Sequence, residues 1–289
     1  MTPGTWQRIA LGHRTQKEMP ERIPVSAVVI TLDAEALLDR VLGPLKICDD
    51  IVVLDSGSGD RTRQIAAAHG ARWFEHPFDG YGFQKRRAVA LARHHWILSV
   101  DADEILDDDA VSALTAIRWP EADLMTCWRV RRRTFIGNRE ILHGHWSRER
   151  PVRLFNRLVT GFSAVPVHES VAATSGVRDL PGSLLHFSYD DLSEVIRLDF
   201  HRLKALKYRH AGRRAGAGLL LARALWAGLH SYVVRSGYRE GGAGVVMALA
   251  AAVNATMGLA MASEPELAGR AQAKPNLRAV GDGSLPKSA

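Results

Sequence analysis

Between Val25 and Asp109 short apolar runs alternate with segments of helical spacing, the pattern of a parallel sheet with crossover helices. VSAVVIT is a β-branched run, AEALLDRVLGPL follows with helical spacing, and DIVVLD is a second buried-strand run. In DSGSGDRTRQIAAAHG the Ser-Gly-Ser-Gly stretch reads as a loop. Asp60 is placed to cap the helix that follows, and Gly70 to end it in a left-handed conformation. ARWFEH predicts a third strand, GFQKRRAVALARHH a helix and WILSVD a fourth strand. The chain is therefore expected to be α/β, with a mostly parallel central sheet over residues 25–189.

From Asp190 the pattern changes. DDLSEVIRLDFHRLKALKYRH opens with capping acids and places Leu192, Val195, Ile196, Phe200 and Leu203 on one helical face. Residues 190–262 are read as a basic amphipathic and apolar helical region. Within it, Ala243 to Ala262 has no charge and reaches the roughly twenty residues that span a bilayer, yet it is rich in Ala and Gly and contains Asn254. Three readings stand open for it: a span, a helix-packing segment, or a helix lying on a membrane. Residues 1–24 read as a polar tail without the apolar run of a signal peptide, and residues 263–289 as a disordered tail.

Composition adds a constraint on location and charge. The chain has 289 residues with 46% hydrophobic and 24% charged, an ordinary globular balance that excludes a disordered or fibrous protein. Its two cysteines, Cys48 and Cys127, fit no disulfide framework or zinc spacing and read as buried hydrophobes in a reducing compartment. The formal charge of +7 is local: Arg129 to Arg157 holds nine Arg against Glu140 and Glu149. A second basic stretch, Arg197 to Arg239, sets ten basic residues against Asp199, interleaved with Leu219, Leu225 and Trp226. Basic helices with apolar faces bind anionic membrane surfaces, so a peripheral place on the inner face of the cytoplasmic membrane is expected.

The candidate chemistry lies at strand ends, where open α/β sheets bind ligands. Asp55 ends one apolar run, and Asp101, Asp103 and Glu104 end another. From Ser99 to Asp109 there are six acidic residues and no basic one, a strongly negative stretch unless a cation sits there. Asp-x-Asp spacing on an extended segment would turn both carboxylates to one side, which suits a divalent ion holding phosphate oxygens. A nucleic-acid-binding module would instead need a positive groove or an aromatic platform.

These residues resemble the family 2 glycosyltransferases with the GT-A fold. The matching pieces are VVITLDAE, DDIVVLDSGSGDRT, HHWILSVDADE and, downstream, WSRERPVRLFNR, VPVHE and LLHFSYDDL. Their order is most like the lipopolysaccharide core β-1,4-glucosyltransferases. The resemblance implies a GT-A-type nucleotide-sugar-binding domain and an inverting, divalent-metal-dependent transferase. It would move a sugar, glucose from UDP-glucose, onto a glycolipid acceptor in lipopolysaccharide core or other cell-envelope synthesis. Thr31 and Asp55 would contact the nucleoside, with Asp33 and Glu35 in the donor pocket. Asp103, assisted by Asp101, would hold Mg²⁺ or Mn²⁺, with His186 a further metal or diphosphate ligand. Arg153 would neutralise the leaving diphosphate, with help from Lys85. The chain departs from the family pattern at Asp33, Ala34 and Glu35, where Asn-Glu-Glu is usual, and at Arg86, where Asn is usual.

Inversion needs a base on the acceptor hydroxyl while charge develops on the diphosphate. Glu169 in VPVHES is the first candidate, because a small and apolar stretch would raise its pKa, with His168 either an orienting neighbour or a packing residue. Glu149, between Arg148 and Arg150, is the second. His143 and His145 flank Gly144 and read as ordinary loop histidines. Transfer to polyprenyl phosphate or protein, and a non-catalytic nucleotide-sugar or nucleic-acid binding protein of the same fold, are the alternatives.

Overall fold

The computed structural model describes residues 22–165, 169–172, 176–195, 198–264 and 266. In chain order come β1 (Ile23–Thr31), α1 (Leu38–Leu45), β2 (Cys48–Asp55), α2 (Thr62–Ala68), β3 (Arg72–Glu75), α3 (Tyr81–Ala90) and β4 (Trp96–Asp101), the succession that the apolar pattern predicts. β1 pairs in parallel with β2 on one side and with β4 on the other, and β3 adds in parallel beyond β2. Register places Thr31 beside Asp55 and Ile30 beside Asp101, so three strands deliver their carboxyl ends to one edge.

The strands are apolar on both faces because both are covered. Val25, Ala27 and Val29 of β1 pack with Leu38, Val41, Leu42 and Leu45 of α1. Val28 points the other way, into a second cluster with Val52, Leu54, Ala88, Ala92 and Phe155. This is the period of two that a strand imposes. At the opposite end of the strands from the acid-rich edge, buried Asp50 accepts from Ser26 Oγ at 2.6 Å and from two nitrogens of Arg72 at 2.9 Å each. Both cysteines are buried and form no disulfide, and burial pushes the Cys48 thiol up.

Beyond β4 come β5 (Glu104–Leu106), α4 (Asp108–Thr115), β6 (Thr126–Ile136), β7 (Arg139–Glu140), β8 (Val152–Asn156) and β9 (Gly176–Tyr189). The sheet runs β3-β2-β1-β4-β8-β6-β9-β5, with β7 on β6. β8 is antiparallel to β4 and β6, whereas β9 is parallel to β6, so this half is mixed. The Asp-x-Asp segment is not extended as expected: Ala102 and Asp103 form the turn between β4 and β5. The turn lets β5 leave β4 and pair with β9 at the far side of the sheet.

Three helices follow: α5 (Leu198–His210), α6 (Ala217–Leu229) and α7 (Gly242–Ser263). The helix expected from Asp190 is interrupted, with Leu192–Val195 forming a 3-10 turn before α5. The Glu194 carboxylate accepts from the Asp190 N–H, closing that turn on itself. Ile196 lies outside the described residues, as do residues 1–21 and all but Glu266 of 265–289. α7 packs against both α5 and α6, with Gly258 against α5 and Ala248 against α6, while Gly244 lies on the Gly237–Glu240 turn. The Lys204 stem lies on Gly258, and its Nζ donates to the Asn254 carbonyl at 2.5 Å.

Candidate active site

Two loops leave the edge where β1 and β2 end, and their side chains zip them together. Asp55, 1% exposed, accepts from Thr31 Oγ1 at 2.8 Å and from the N–H groups of Gly57 and Ser58 at 2.8 and 2.7 Å. Burial alone would raise the Asp55 carboxyl, but hydrogen bonds from Ser58, Thr31 and Gly57 outweigh it and hold the group below its ordinary value. Asp33 sits in the left-handed region at φ 47°; its N–H donates to Ser58 Oγ and its carboxylate accepts from the Gly59 N–H. Asp60, one residue before the Arg61 that precedes α2, caps the first turn by accepting from the Thr62 N–H, and its other oxygen accepts from the Glu35 N–H. Glu35 accepts from the Arg61 N–H and guanidinium, which lower its pKa.

The acids at the end of β4 are met by cations from three other elements. Lys85 of α3 places Nζ 2.7 Å from Asp101 Oδ1 and 2.8 Å from Glu169 Oε1. Arg153 of β8 reaches Asp101 and Glu104 at 2.5 Å each. Arg132 of β6 reaches Glu104 at 2.6 Å and Glu149 at 2.8 Å. Glu104 is fully buried, and its second oxygen accepts from the Asp101 N–H at 3.1 Å. Desolvation would raise the Asp101 carboxyl, yet Arg153, Lys85 and Arg132 hold it far below the usual range. The same carboxylates raise Lys85 and Arg153 against their own burial. Four carboxylates thus face three cations, and of the six acids between Ser99 and Asp109 these cations meet two, Asp101 and Glu104.

This arrangement changes several expectations. Arg153 and Lys85 are each 4% exposed and bind protein carboxylates rather than facing an open diphosphate pocket. The physical reason is Glu104, whose buried charge requires partners. Glu169 does not lie in an apolar setting, because Lys85 from α3 touches it. Glu149 is paired with Arg132, and its neighbour Arg150 turns to Asp179. His168 lies outside the described residues. Arg132 is the residue that the sequence reading missed. In the Arg131–Arg133 run, strand alternation sends only the middle side chain to the cluster, while Arg133 pairs with Glu140.

Asp103 and His186 come together at the turn after β4. The His186 Nε2 lies 3.5 Å from Asp103 Oδ2, and the Asp103 carbonyl accepts from the Phe187 N–H at 2.9 Å. Asp103 keeps 31% of its side chain exposed, and His186 13%. Among the described residues no three His, Cys, Asp or Glu side chains form a closed metal site. A pair of donors fits an open site, in which a bound ligand supplies the remaining oxygens.

Gly82 sets the distance between α3 and the segment leading to Glu169. Its N–H donates to the Val165 carbonyl at 3.1 Å, and an added Cβ would overlap that oxygen and lie 2.5 Å from the Ser163 carbonyl. Gly82→Ala is expected to cost about 1–3 kcal/mol of stability. It should also lower turnover, because Lys85, one turn along the same helix, holds Glu169. Thermal unfolding and initial-rate kinetics on the purified variant check both effects.

The helical region is clasped to this half of the molecule. Glu240, 5% exposed, accepts from the Leu142 and His143 N–H groups, from His143 Nδ1 at 2.8 Å and from Arg139 at 2.8 Å. His143 is therefore part of an ion-pair clasp, and the loop it belongs to continues to Glu149.

Parallel strands whose carboxyl ends carry a zipped pair of loops, beside an acidic turn and a cluster of ion pairs, form the edge at which open α/β sheets bind ligands. A sequence model of the family described as Glycosyl transferase family 2 matches residues 26–172. The chain belongs to that family and is a glycosyltransferase. It is 30% identical over 205 residues to the lipopolysaccharide core biosynthesis glycosyltransferase LpsC of Rhizobium meliloti (strain 1021), covering 68% of this chain and 76% of that protein. It is 38% identical over 86 residues to an uncharacterized glycosyltransferase of Rickettsia bellii, 29% of each chain. Among solved structures, S. aureus TarS 1–349 superposes with a TM-score of 0.44 at 14% identity over 64% of each chain. Glucosyl-3-phosphoglycerate synthase from Mycobacterium tuberculosis, in complex with Mn²⁺, UDP and glucosyl-3-phosphoglycerate, gives 0.31 at 25% identity over 39% of this chain and 43% of that one.

Proposed function

We propose that this glycosyltransferase moves a sugar, glucose from UDP-glucose, with inversion onto a glycolipid of the lipopolysaccharide core, working at the inner face of the cytoplasmic membrane. The observation that carries the donor half is the common edge at which Thr31, Asp55, Asp101 and Asp103 meet. The likeness to LpsC supports the acceptor class.

In this reading the zipped loops after β1 and β2 seat the nucleoside, with buried Asp55 tying the two loops together through the bonds it accepts from Thr31, Gly57 and Ser58. Asp103 and His186 would hold Mg²⁺ or Mn²⁺, with Asp101 behind them; the ion's chemistry is to neutralise charge on the departing diphosphate. Glu169 takes the proton from the acceptor hydroxyl, and Lys85 aims its carboxylate. Arg153 and Arg132 keep Asp101 and Glu104 fixed and ionised, so the acidic turn does not reorganise when ligands arrive. The test is a thermal-shift panel of nucleotide sugars with Mn²⁺ or Mg²⁺. UDP-glucose should raise Tm in proportion to its affinity, and only with a divalent ion present. A rise with another nucleotide sugar and none with UDP-glucose would reject the donor named here.

A further inference from the structure

The part of the helical region that faces water is apolar where a soluble helix is polar. α6 has no buried residue, and Leu221, Leu225, Trp226 and Leu229 are each more than half exposed. Leu225, Leu229 and Val233 recur every four residues and Trp226 lies three before Leu229, which puts these four side chains on one outward arc. The inward arc is small: at Gly228 the Ala248 carbonyl oxygen of α7 lies 3.5 Å from where a Cβ would stand. Large side chains outside and small ones inside is the reverse of the pattern that solvates a surface helix.

Charge surrounds this arc with one sign. Arg213, Arg214, Arg223 and Arg239 are exposed around α6. Between Arg202 and Ser263 the sole acid is Glu240, which is buried in its clasp. Ala217–Val234 and Gly242–Ser263 are both long and apolar enough to cross a bilayer, a test that the core helix of a soluble protein also passes. Their connection argues against crossing. It carries Glu240, bound to Arg139, Leu142 and His143 of the catalytic half, and the Arg235 carbonyl, which accepts from the Gly144 N–H. A span would carry that connection to the far side of the membrane and break every one of these bonds.

We infer that the outward arc of α6 lies in the interfacial layer of an anionic bilayer, with Leu225, Trp226 and Leu229 immersed and the flanking arginines on the headgroups. The occupant is a lipid surface, because an apolar arc rimmed by uncompensated arginines matches acyl chains bordered by anionic headgroups. This rests on the glycolipid reading above and gives it a place: the enzyme sits flat on the leaflet that holds its acceptor, the helical region beneath and the clasped loop leading to Glu149.

The test is flotation of the full chain with phosphatidylglycerol–phosphatidylcholine vesicles. Replacing Leu225, Trp226 and Leu229 together by Ser, all on the exposed arc, should lower the partition coefficient at least about tenfold. Arg213→Gln with Arg214→Gln should lower it several-fold at low salt and have no effect at about 0.5 M salt, where charge contacts are screened. A triple variant that partitions within twofold of wild type would overturn the inference. So would a wild-type dimer that the triple variant converts to a monomer with vesicle binding unchanged, since the arc then belongs to a second copy. Vesicle binding by a wild-type protein that ignores every glycolipid acceptor would support the surface and defeat the acceptor reading alone.

Discussion

Replacing Arg153 by Gln is expected to destabilise the folded chain by about 3–5 kcal/mol, a fall in Tm of the order of 10 °C. Arg153 is 4% exposed and binds Asp101 and Glu104, and Glu104 has no contact with water at all. Removing the guanidinium leaves two carboxylates sharing Arg132 and Lys85, each already committed elsewhere. A buried charge that loses its partner costs far more than an exposed pair gains. Arg153→Lys should recover part of the loss, since it restores the charge without the planar fork. Differential scanning calorimetry of both variants checks this. An unchanged Tm with a large loss of diphosphate affinity would return Arg153 to the donor pocket.

The second large effect concerns the proton. Glu169→Gln keeps shape and a hydrogen bond to Lys85 but removes proton acceptance, so turnover should fall by roughly 10² to 10⁴ with donor affinity nearly unchanged. Glu149→Gln should behave differently. Glu149 is tied to Arg132, which also holds Glu104, so its loss loosens the charge cluster and weakens donor binding more than turnover. Steady-state kinetics on the two variants separates them. Near-normal turnover for Glu169→Gln with collapse for Glu149→Gln would exchange their roles.

The parallel half of the sheet was legible because β1, β2 and β4 carry buried apolar runs, those of β2 and β4 ending in an acid, and helical spacing separates them. Asp55 and Asp101 could be placed at strand ends for the same reason. What surrounds the acids could not be read, because it depends on contacts between distant segments. Lys85, Arg132 and Arg153 come from α3, β6 and β8, and only the antiparallel pairing of β8 with β4 and β6 brings the last two to Asp101. The sequence reading accordingly assigned Arg153 and Lys85 to the diphosphate, and left Arg132 hidden in a run of three arginines. The helical region shows the same limit. Ala243 to Ala262 drew attention as an uncharged run, yet α7 is the helix that packs, and α6, which contains Arg223, is the one with an exposed apolar arc.

The central claim is that Asp103 and its turn bind a nucleotide-sugar diphosphate together with a divalent ion. Titration calorimetry of UDP-glucose into wild type and Asp103→Ala, with Mn²⁺ and with chelator, paired with turnover on the same samples, tests it most directly. Asp103 is partly exposed in a turn, so the variant should keep its Tm. The account predicts that Mn²⁺ tightens donor binding to wild type, that this tightening disappears in Asp103→Ala, and that transfer is nearly abolished. Donor binding indifferent to Mn²⁺ in wild type, or an Asp103→Ala enzyme retaining more than about a tenth of wild-type turnover in saturating Mn²⁺, would contradict it.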